Sequence, residues 1–343
     1  MSDDGSVNCG NGGGADTFAG LRIGSVFIIL ATSMAGALFP ILAKRTAWLT
    51  VPKAAFEFAK YFGSGVIIAT AFIHLLASGV EELNNTDCLS PDWVIYPYPL
   101  ALSMLAIFVI FIVELIAFRW GTAKLAAMGK IHDPHGHSFG SHAAHGPEGN
   151  HSDEITTEKP DKVANDIESI SGSEDDKDWA DALSQMIGVA ILEFGILLHS
   201  VLIGLTLAVD PDFKVLFVVI IFHQTFEGLG VGSRLAVLDL PKRYNWLIIL
   251  GGILYGITTP IGIAAGLGIK TTYNPDSTKA SIVSGVMDSL SSGILLYTGL
   301  VELLAHEFLF NKEMNRASNG RLAYALTCMI AGCGIMALLG RWA

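Results

Sequence analysis

Two imidazoles and a carboxylate lie where ionisable groups are rare. His199, His223 and Glu227 fall inside long apolar runs on either side of the turn at Asp210-Pro211. His199 precedes that turn by about eleven residues and His223 follows it by about eleven. At 1.5 Å per helical residue both stand roughly 16 Å deep, near the midplane of a bilayer. Glu227 follows His223 at i+4, on the same helix face. Two nitrogens and one oxygen at a single depth form a donor set for Zn²⁺. An ionisable side chain at that depth is costly and marks a functional site by default.

Further polar groups extend this level toward both surfaces. His74 lies about 12 Å below the outer end of its own span, by the same rise per residue. With Ser78 and Glu81 or Glu82 it forms an i, i+4, i+7/8 stripe leading outward. On the inner side, Glu302 and His306 are one turn apart, followed by Glu307. Ligands strung from one surface to the other suit a cation pathway better than a closed structural site. Two blander roles compete: His74 as a hydrogen-bonded packing residue, and Glu302 with His306 at a headgroup interface. Glu193, six residues before His199, is about 240° away around the helix and need not line the same cavity. Glu114 is either a pathway residue or an inter-helix hydrogen bond.

Eight stretches position these groups, at about 21–43, 54–81, 96–120, 180–209, 213–238, 245–270, 281–304 and 321–341. Each meets the roughly 20 apolar residues that a membrane helix needs. Gly63, Gly65, Gly251, Gly252 and Gly256 suit close helix contact in lipid. The first span reads as a retained anchor, since no h-region with a cleavage site precedes it. Basic residues alternate between the loops. Lys44, Arg45 and Lys53, then Arg119, Lys124 and Lys130, then Arg234, Lys242 and Arg243, then Lys312, Arg316 and Arg321 mark one side. That side is cytoplasmic by the positive-inside rule, which puts both termini outside. Asn84-Asn85-Thr86 is an outward glycosylation sequon under this topology.

Composition agrees. Hydrophobic residues make up 51% of the 343 and charged ones only 15%, against about 25% charged in soluble domains. The net charge of −11 leaves no basic surface for nucleic acid. Residues 131–178 carry twelve of the 32 acids against three bases. This segment, 130–178, has the composition of a disordered cytoplasmic loop. Its His132, His135, His137, His142, His145 and His151 can chelate Zn²⁺, the alternative being a solvated linker. The chain divides into an extracellular tail (1–20), spans one to three (21–129), this loop (130–178) and spans four to eight (179–343). The four cysteines show no CxxC spacing, which argues against a zinc finger or a disulfide scaffold. Cys328 and Cys333 fall in the last span. Cys9 and Cys88 both face the oxidising side, where a bridge would pin the Gly-rich tail over the outer mouth.

His199-Ser200-Val201-Leu202-Ile203-Gly204 and His223-Gln224-Thr225-Phe226-Glu227-Gly228 together resemble the paired signature of the ZIP (Zrt-, Irt-like) metal transporters. Leu192-Glu193-Phe194-Gly195 is similar to the fungal and plant-type branch. The resemblance implies an all-α polytopic fold with eight transmembrane helices, two inverted three-helix repeats around a central two-helix hairpin. It implies a transporter rather than an enzyme, taking zinc, Fe²⁺ or other divalent cations into the cytosol across the plasma membrane. His199, His223 and Glu227 match its first-site ligands, with Ser200 and Gln224 at second-site positions. Some relatives carry Asn and Asp there, and a Glu before the proline of span six. This chain reads Thr258-Thr259-Pro260, so one strong site is expected rather than a binuclear centre. Beyond metal ions and lipid, a homodimer and ubiquitin machinery acting on the loop are further expected partners. Two competing classes are a zinc-dependent intramembrane lipid hydrolase and a metal sensor using the loop. The absence of HExxH disfavours a protease.

Overall fold

The computed structural model describes residues 9–10, 17–46, 51–127, 174–238, 240, 242–271, 274 and 277–342. The loop histidines His132 to His151 lie outside this set. Eight long helices appear at the expected positions: α1 (Ala19–Arg45), α2 (Lys53–Leu83), α3 (Tyr98–Ala127), α4 (Glu174–Val209), α5 (Phe213–Val237), α6 (Asn245–Ile269), α7 (Thr278–Phe310) and α8 (Asn319–Leu339). All are long and apolar enough to cross a membrane. No strand occurs among the described residues. Large apolar side chains such as Phe27, Phe108 and Ile330 are exposed on the outer faces, as a lipid-facing surface requires.

The packing follows a regular scheme. α1 packs on α5 and on α6, while α4 packs on α6 and on α7. α2 packs on α5 and on α8, and α3 packs on α7. A proline lies inside both α1 and α6, at Pro40 and Pro260. Both α2 and α7 widen into π-helical turns, over Thr70–Leu76 and Thr298–Phe310. Such turns often accompany functional sites. They enclose His74 in one helix, and Glu302, His306 and Glu307 in the other.

Missing side chains let the backbones approach. A Cβ on Gly63 would stand 2.2 Å from the Cα of Gly230 across the α2–α5 contact. A Cβ on Gly204 would stand 2.5 Å from the Thr259 carbonyl oxygen across α4–α6. Close backbone approach is the usual means of helix association in lipid, where no hydrophobic force drives it.

At the end that carries the chain termini, the buried Arg22 ties α1 to the α4–α5 turn. Its guanidinium donates to the carbonyls of Leu207 (3.0 Å) and Asp210 (2.6 Å). It thereby satisfies carbonyls at the C-terminus of α4 that have no helical partner. The bridge between Cys9 and Cys88 is present, with Cα atoms 5.3 Å apart. Asn274 Nδ2 donates to the Gly10 carbonyl at 2.9 Å, and Thr278 Oγ1 donates to the Cys88 carbonyl at 2.7 Å. The tail is therefore fastened both to the end of α2 and to the start of α7. Glu114 makes an inter-helix bond, accepting from Tyr297 Oη at 2.7 Å. Differential alkylation of the membrane protein should label Cys328 and Cys333 after unfolding without reductant, and Cys9 and Cys88 only after reduction. Four reactive thiols in the non-reduced chain would contradict the bridge.

Candidate metal site and its access

The central helices α4 and α5 bring three ligand atoms together. His199 Nε2 lies 3.3 Å from His223 Nε2, and His223 Nε2 lies 3.7 Å from Glu227 Oε2. One atom from each of the three residues falls within 4.8 Å of the other two. Two ligands bound at about 2.0–2.1 Å in tetrahedral geometry stand about 3.3 Å apart, so the spacing fits one zinc-sized ion. The three residues are 4%, 0% and 0% exposed. Among the described residues this is the one group of three such side chains able to hold a metal.

Several surrounding polar atoms are buried without a hydrogen-bond partner among the described residues. They are Ser200 Oγ, both amide atoms of Gln224, His223 Nδ1, Glu227 Oε1 and Thr259 Oγ1. Leaving such groups unpaired costs about 1–3 kcal/mol each. Ser200 and Gln224 directly follow His199 and His223 on the same two helices, and both are fully buried. Their side chains carry neutral oxygens and nitrogens rather than charge.

His74 stands one ring further out. Its imidazole meets His223 edge-on, with centroids 4.8 Å apart. Its Nε2 lies 3.2 Å from the Met336 carbonyl oxygen. A carbonyl only accepts, so Nε2 carries the proton and Nδ1 is the atom left to ligate. The sequence placed His74 near the depth of the pair, and that level is observed.

A cavity of about 580 Å³ leads from this region to the terminal end. His74, Ser78, Glu82, His199 and Asp288 line it, and it reaches the turn at Asp210-Pro211-Asp212. Of the two acids proposed for the stripe, Glu82 lines the cavity. Toward the other end, Glu307 of α7 is 7% exposed and surrounded by donors. Lys60 Nζ donates to its Oε1 at 2.5 Å, and Tyr61 Oη to the same oxygen at 3.3 Å. Arg234 Nη1 lies 3.8 Å from Oε2, and Arg234 Nη2 donates to Ser64 Oγ at 2.6 Å. This cluster joins α2, α5 and α7. Glu302 and His306 lie on the same π-helical stretch, both half-buried. In such turns residues five apart bond, so Glu302 and Glu307 fall on neighbouring positions of one face. Glu193 lies elsewhere, in a separate apolar pocket between α4, α5 and α6 beside Leu235 and Gly251.

Sequence reasoning missed Tyr255, Asp288 and the two cations at Glu307. Asp288 carried a signal, being an acid within an apolar span. Tyr255, Lys60 and Arg234 acquire their roles only through tertiary contact. Tyr255 Oη donates to the Gln224 carbonyl at 2.7 Å and lies 3.5 Å from Glu227 Oε2.

The family of ZIP zinc transporters matches residues 19–340. This chain belongs to the ZIP family. It is 38% identical to zinc-regulated transporter 1 of Saccharomyces cerevisiae, over 94% of this chain and 88% of that protein. It is 40% identical to zinc-regulated transporter 1 of Schizosaccharomyces pombe, over 99% and 91%. It is 32% identical to Fe(2+) transport protein 1 of Arabidopsis thaliana, over 94% and 86%. As a ZIP protein it is a divalent-metal transporter of the membrane and not an enzyme. The lipid-hydrolase alternative has no support from these relatives.

The Tyr255 hydroxyl braces this ZIP protein's α5 beside Glu227. Tyr255→Phe should weaken zinc binding to purified protein by about fivefold, the worth of one hydrogen bond of about 1 kcal/mol. Isothermal titration in detergent, with His223→Ala as the non-binding control, measures this.

Proposed function

We propose that this ZIP protein takes zinc into the cytosol through the site formed by His199, His223 and Glu227. Fe²⁺ is a second cargo of the same donor chemistry. The observation that carries this reading is the triad of buried ligand atoms, with His199 also lining a cavity that opens at one end. Names of relatives that include both zinc-regulated transporters and an Fe(2+) transport protein support the choice of cargo.

Direction follows from charge. The end with the termini bears few basic loop residues, while Lys44, Arg45, Lys242, Arg243, Arg316 and Arg321 lie at the other. By the positive-inside rule the terminal end is extracellular, so the cavity faces out. The Cys9–Cys88 bridge at that end agrees with an oxidising exterior. Plasma-membrane residence fits both this topology and the zinc-regulated relatives. The structure then corresponds to an outward-open state. The cluster of Lys60, Arg234, Tyr61 and Glu307 acts as the inner closure, and Glu302, His306 and Glu307 serve as exit ligands once it parts. Metal arriving at Glu307 competes with two cations for one carboxylate, which couples opening to occupancy.

The matching partners of α1 with α6, α2 with α7, α3 with α8 and α4 with α5 support the inverted-repeat reading. Each pair runs in opposite directions, and the α1–α5 contact corresponds to α6–α4, as α2–α8 does to α7–α3. Neutral Ser200, Gln224 and Thr259 support a single strong site. The histidine-rich loop is assigned to regulation, with metal binding exposing Lys159, Lys162 and Lys177 to ubiquitin machinery.

Radioactive zinc uptake in cells tests the central claim. His199→Ala, His223→Ala and Glu227→Ala should each bring uptake to near background at matched surface amounts, because a dication in a low-dielectric site tolerates no missing inner ligand. Wild-type uptake by any of them removes that residue from the pathway. Deleting 132–151 should leave substantial uptake and slow zinc-induced removal from the surface.

Lys60→Met should weaken the inner closure. A Ser284→Cys reporter in the cavity should then react more slowly with an impermeant thiol reagent applied outside. Unchanged reactivity would separate Lys60 from gating.

A further inference from the structure

His199 has a second face that the three-ligand site does not use. Its Nε2 points toward His223 and Glu227, while its Nδ1 lies 4.0 Å from Oδ1 of Asp288 on α7. Asp288 is 8% exposed and lines the wall of the outer cavity. Its Oδ1 is buried with no hydrogen-bond partner among the described residues. The serines beside it are engaged elsewhere. Ser289 Oγ donates to the Gly285 carbonyl, and Ser292 Oγ to Ser103 Oγ and the Ser289 carbonyl. The ionisable group that this carboxylate faces, at 4.0 Å, is therefore the imidazole of His199, a ligand in the proposed site.

Two independent arguments give Asp288 work to do. The first is tautomeric. A neutral imidazole that presents the Nε2 lone pair to a metal must carry its proton on Nδ1. That N–H then needs an acceptor, and metal-binding histidines commonly find one in a carboxylate, which fixes the ring and strengthens its donation. A gap of 4.0 Å is too long for a direct bond and short enough to close with a side-chain rotation or through one water.

The second argument is charge. A dication held by two neutral histidines and Glu227 leaves a net +1 in the membrane interior. The other bordering side chains, Ser200, Gln224 and Thr259, are all neutral. An uncompensated buried charge is prohibitive, and Asp288 brings the sum to zero.

We propose that Asp288 is the second counter-charge of the metal site: its carboxylate accepts a hydrogen bond from His199 Nδ1–H, directly or through a water, aims Nε2 at the ion, and adds from α7 a second negative charge to that of Glu227. It is a positioning residue, acting through His199. The inference rests on the assignment of His199, His223 and Glu227 as ligands. It also makes the divalent preference a property shared between α4–α5 and α7.

The test uses the full-length protein in cells and in proteoliposomes, with zinc as the probe. Asp288→Asn keeps the shape and an oxygen acceptor but removes the charge. It should raise the KM for zinc about 10- to 100-fold, the usual effect of losing the partner behind a ligating histidine. Surface amount and thermal stability should stay near wild type. Moving the charge to the other side of the site, as Asp288→Asn with Gln224→Asp or with Thr259→Glu, should bring KM back toward the native value. A purely structural role for Asp288 predicts no such rescue.

A wild-type KM for Asp288→Asn, or an impaired variant that neither relocated carboxylate nor Asp288→Glu improves, overturns the proposal. His223→Ala is run alongside. If it is inactive while Asp288→Asn transports normally, only the role of Asp288 falls. If His223→Ala also transports normally, the ligand assignment itself falls.

Discussion

Everything in this fold answers to the cost of holding a dication in hydrocarbon. The Born penalty for a bare ion there is tens of kcal/mol. Ligand atoms must therefore be brought within a few ångström of one another, away from lipid, by helices that cannot rely on a hydrophobic force to pack. Glycine provides the approach. Gly36 fits against the Thr225 carbonyl of α5, Gly232 against the Ala37 carbonyl, and Gly204 against the Thr259 carbonyl. These contacts seat α4 and α5 against α1 and α6, which puts His199 and His223 within 3.3 Å. The glycines that close the two signature segments, Gly204 and Gly228, are thus packing residues of the same site. A Cβ on Gly228 would meet Tyr255 at 2.8 Å.

What the sequence revealed, it revealed through short-range rules. Span length, loop charge and depth from a turn each depend on neighbours in the chain, and together they located His199, His223 and Glu227. The Cys9–Cys88 bridge came from topology and compartment, and did not need the fold. Tyr255, Lys60 and Arg234 escaped because each gains its meaning from a partner far along the chain. Lys60 and Glu307 are 247 residues apart. The π-helical turns escaped as well, since hydrophobic periodicity over Thr298–Phe310 reads as ordinary helix. Glu193 shows the limit in the other direction. Its carboxylate is as unusual in a span as that of Glu227, yet it occupies a pocket of its own between Leu235 and Gly251.

The packing joins α1 to α5 and α6 and α4 to α6 in one set, and α2 to α8 and α3 to α7 in a second, with α2–α7, α2–α5 and α4–α7 contacts fastening the two sets together. His199, His223 and Glu227 all sit on α4 and α5, in the first set. The groups that face them across the boundary sit on the second: His74 against His223, Asp288 against His199, and Lys60 with Glu307 against Arg234. Under the proposed function the first set would carry the ion and the second would confine it.

That division constrains how access can alternate. If the ligands were split between the sets, relative motion would break the site in transit and expose the dication. Because the proposed ligands all sit on α4 and α5, a motion that kept those two helices together would keep the proposed site intact. At Gly63 and Gly230 backbone meets backbone, and beside them Phe62 of α2 packs edge-on against Phe226 of α5. The π-helical turns of α2 and α7 flank the same boundary, and their i→i+5 bonds lie one residue from ordinary α-helical register. Charge supplies the bias. With the cavity open, Arg234 of the first set is held by Glu307 and Ser64 of the second. Under the proposed gating, a change of state would give up those contacts, and the ion's interaction with Glu307 would replace what Arg234 and Lys60 lose.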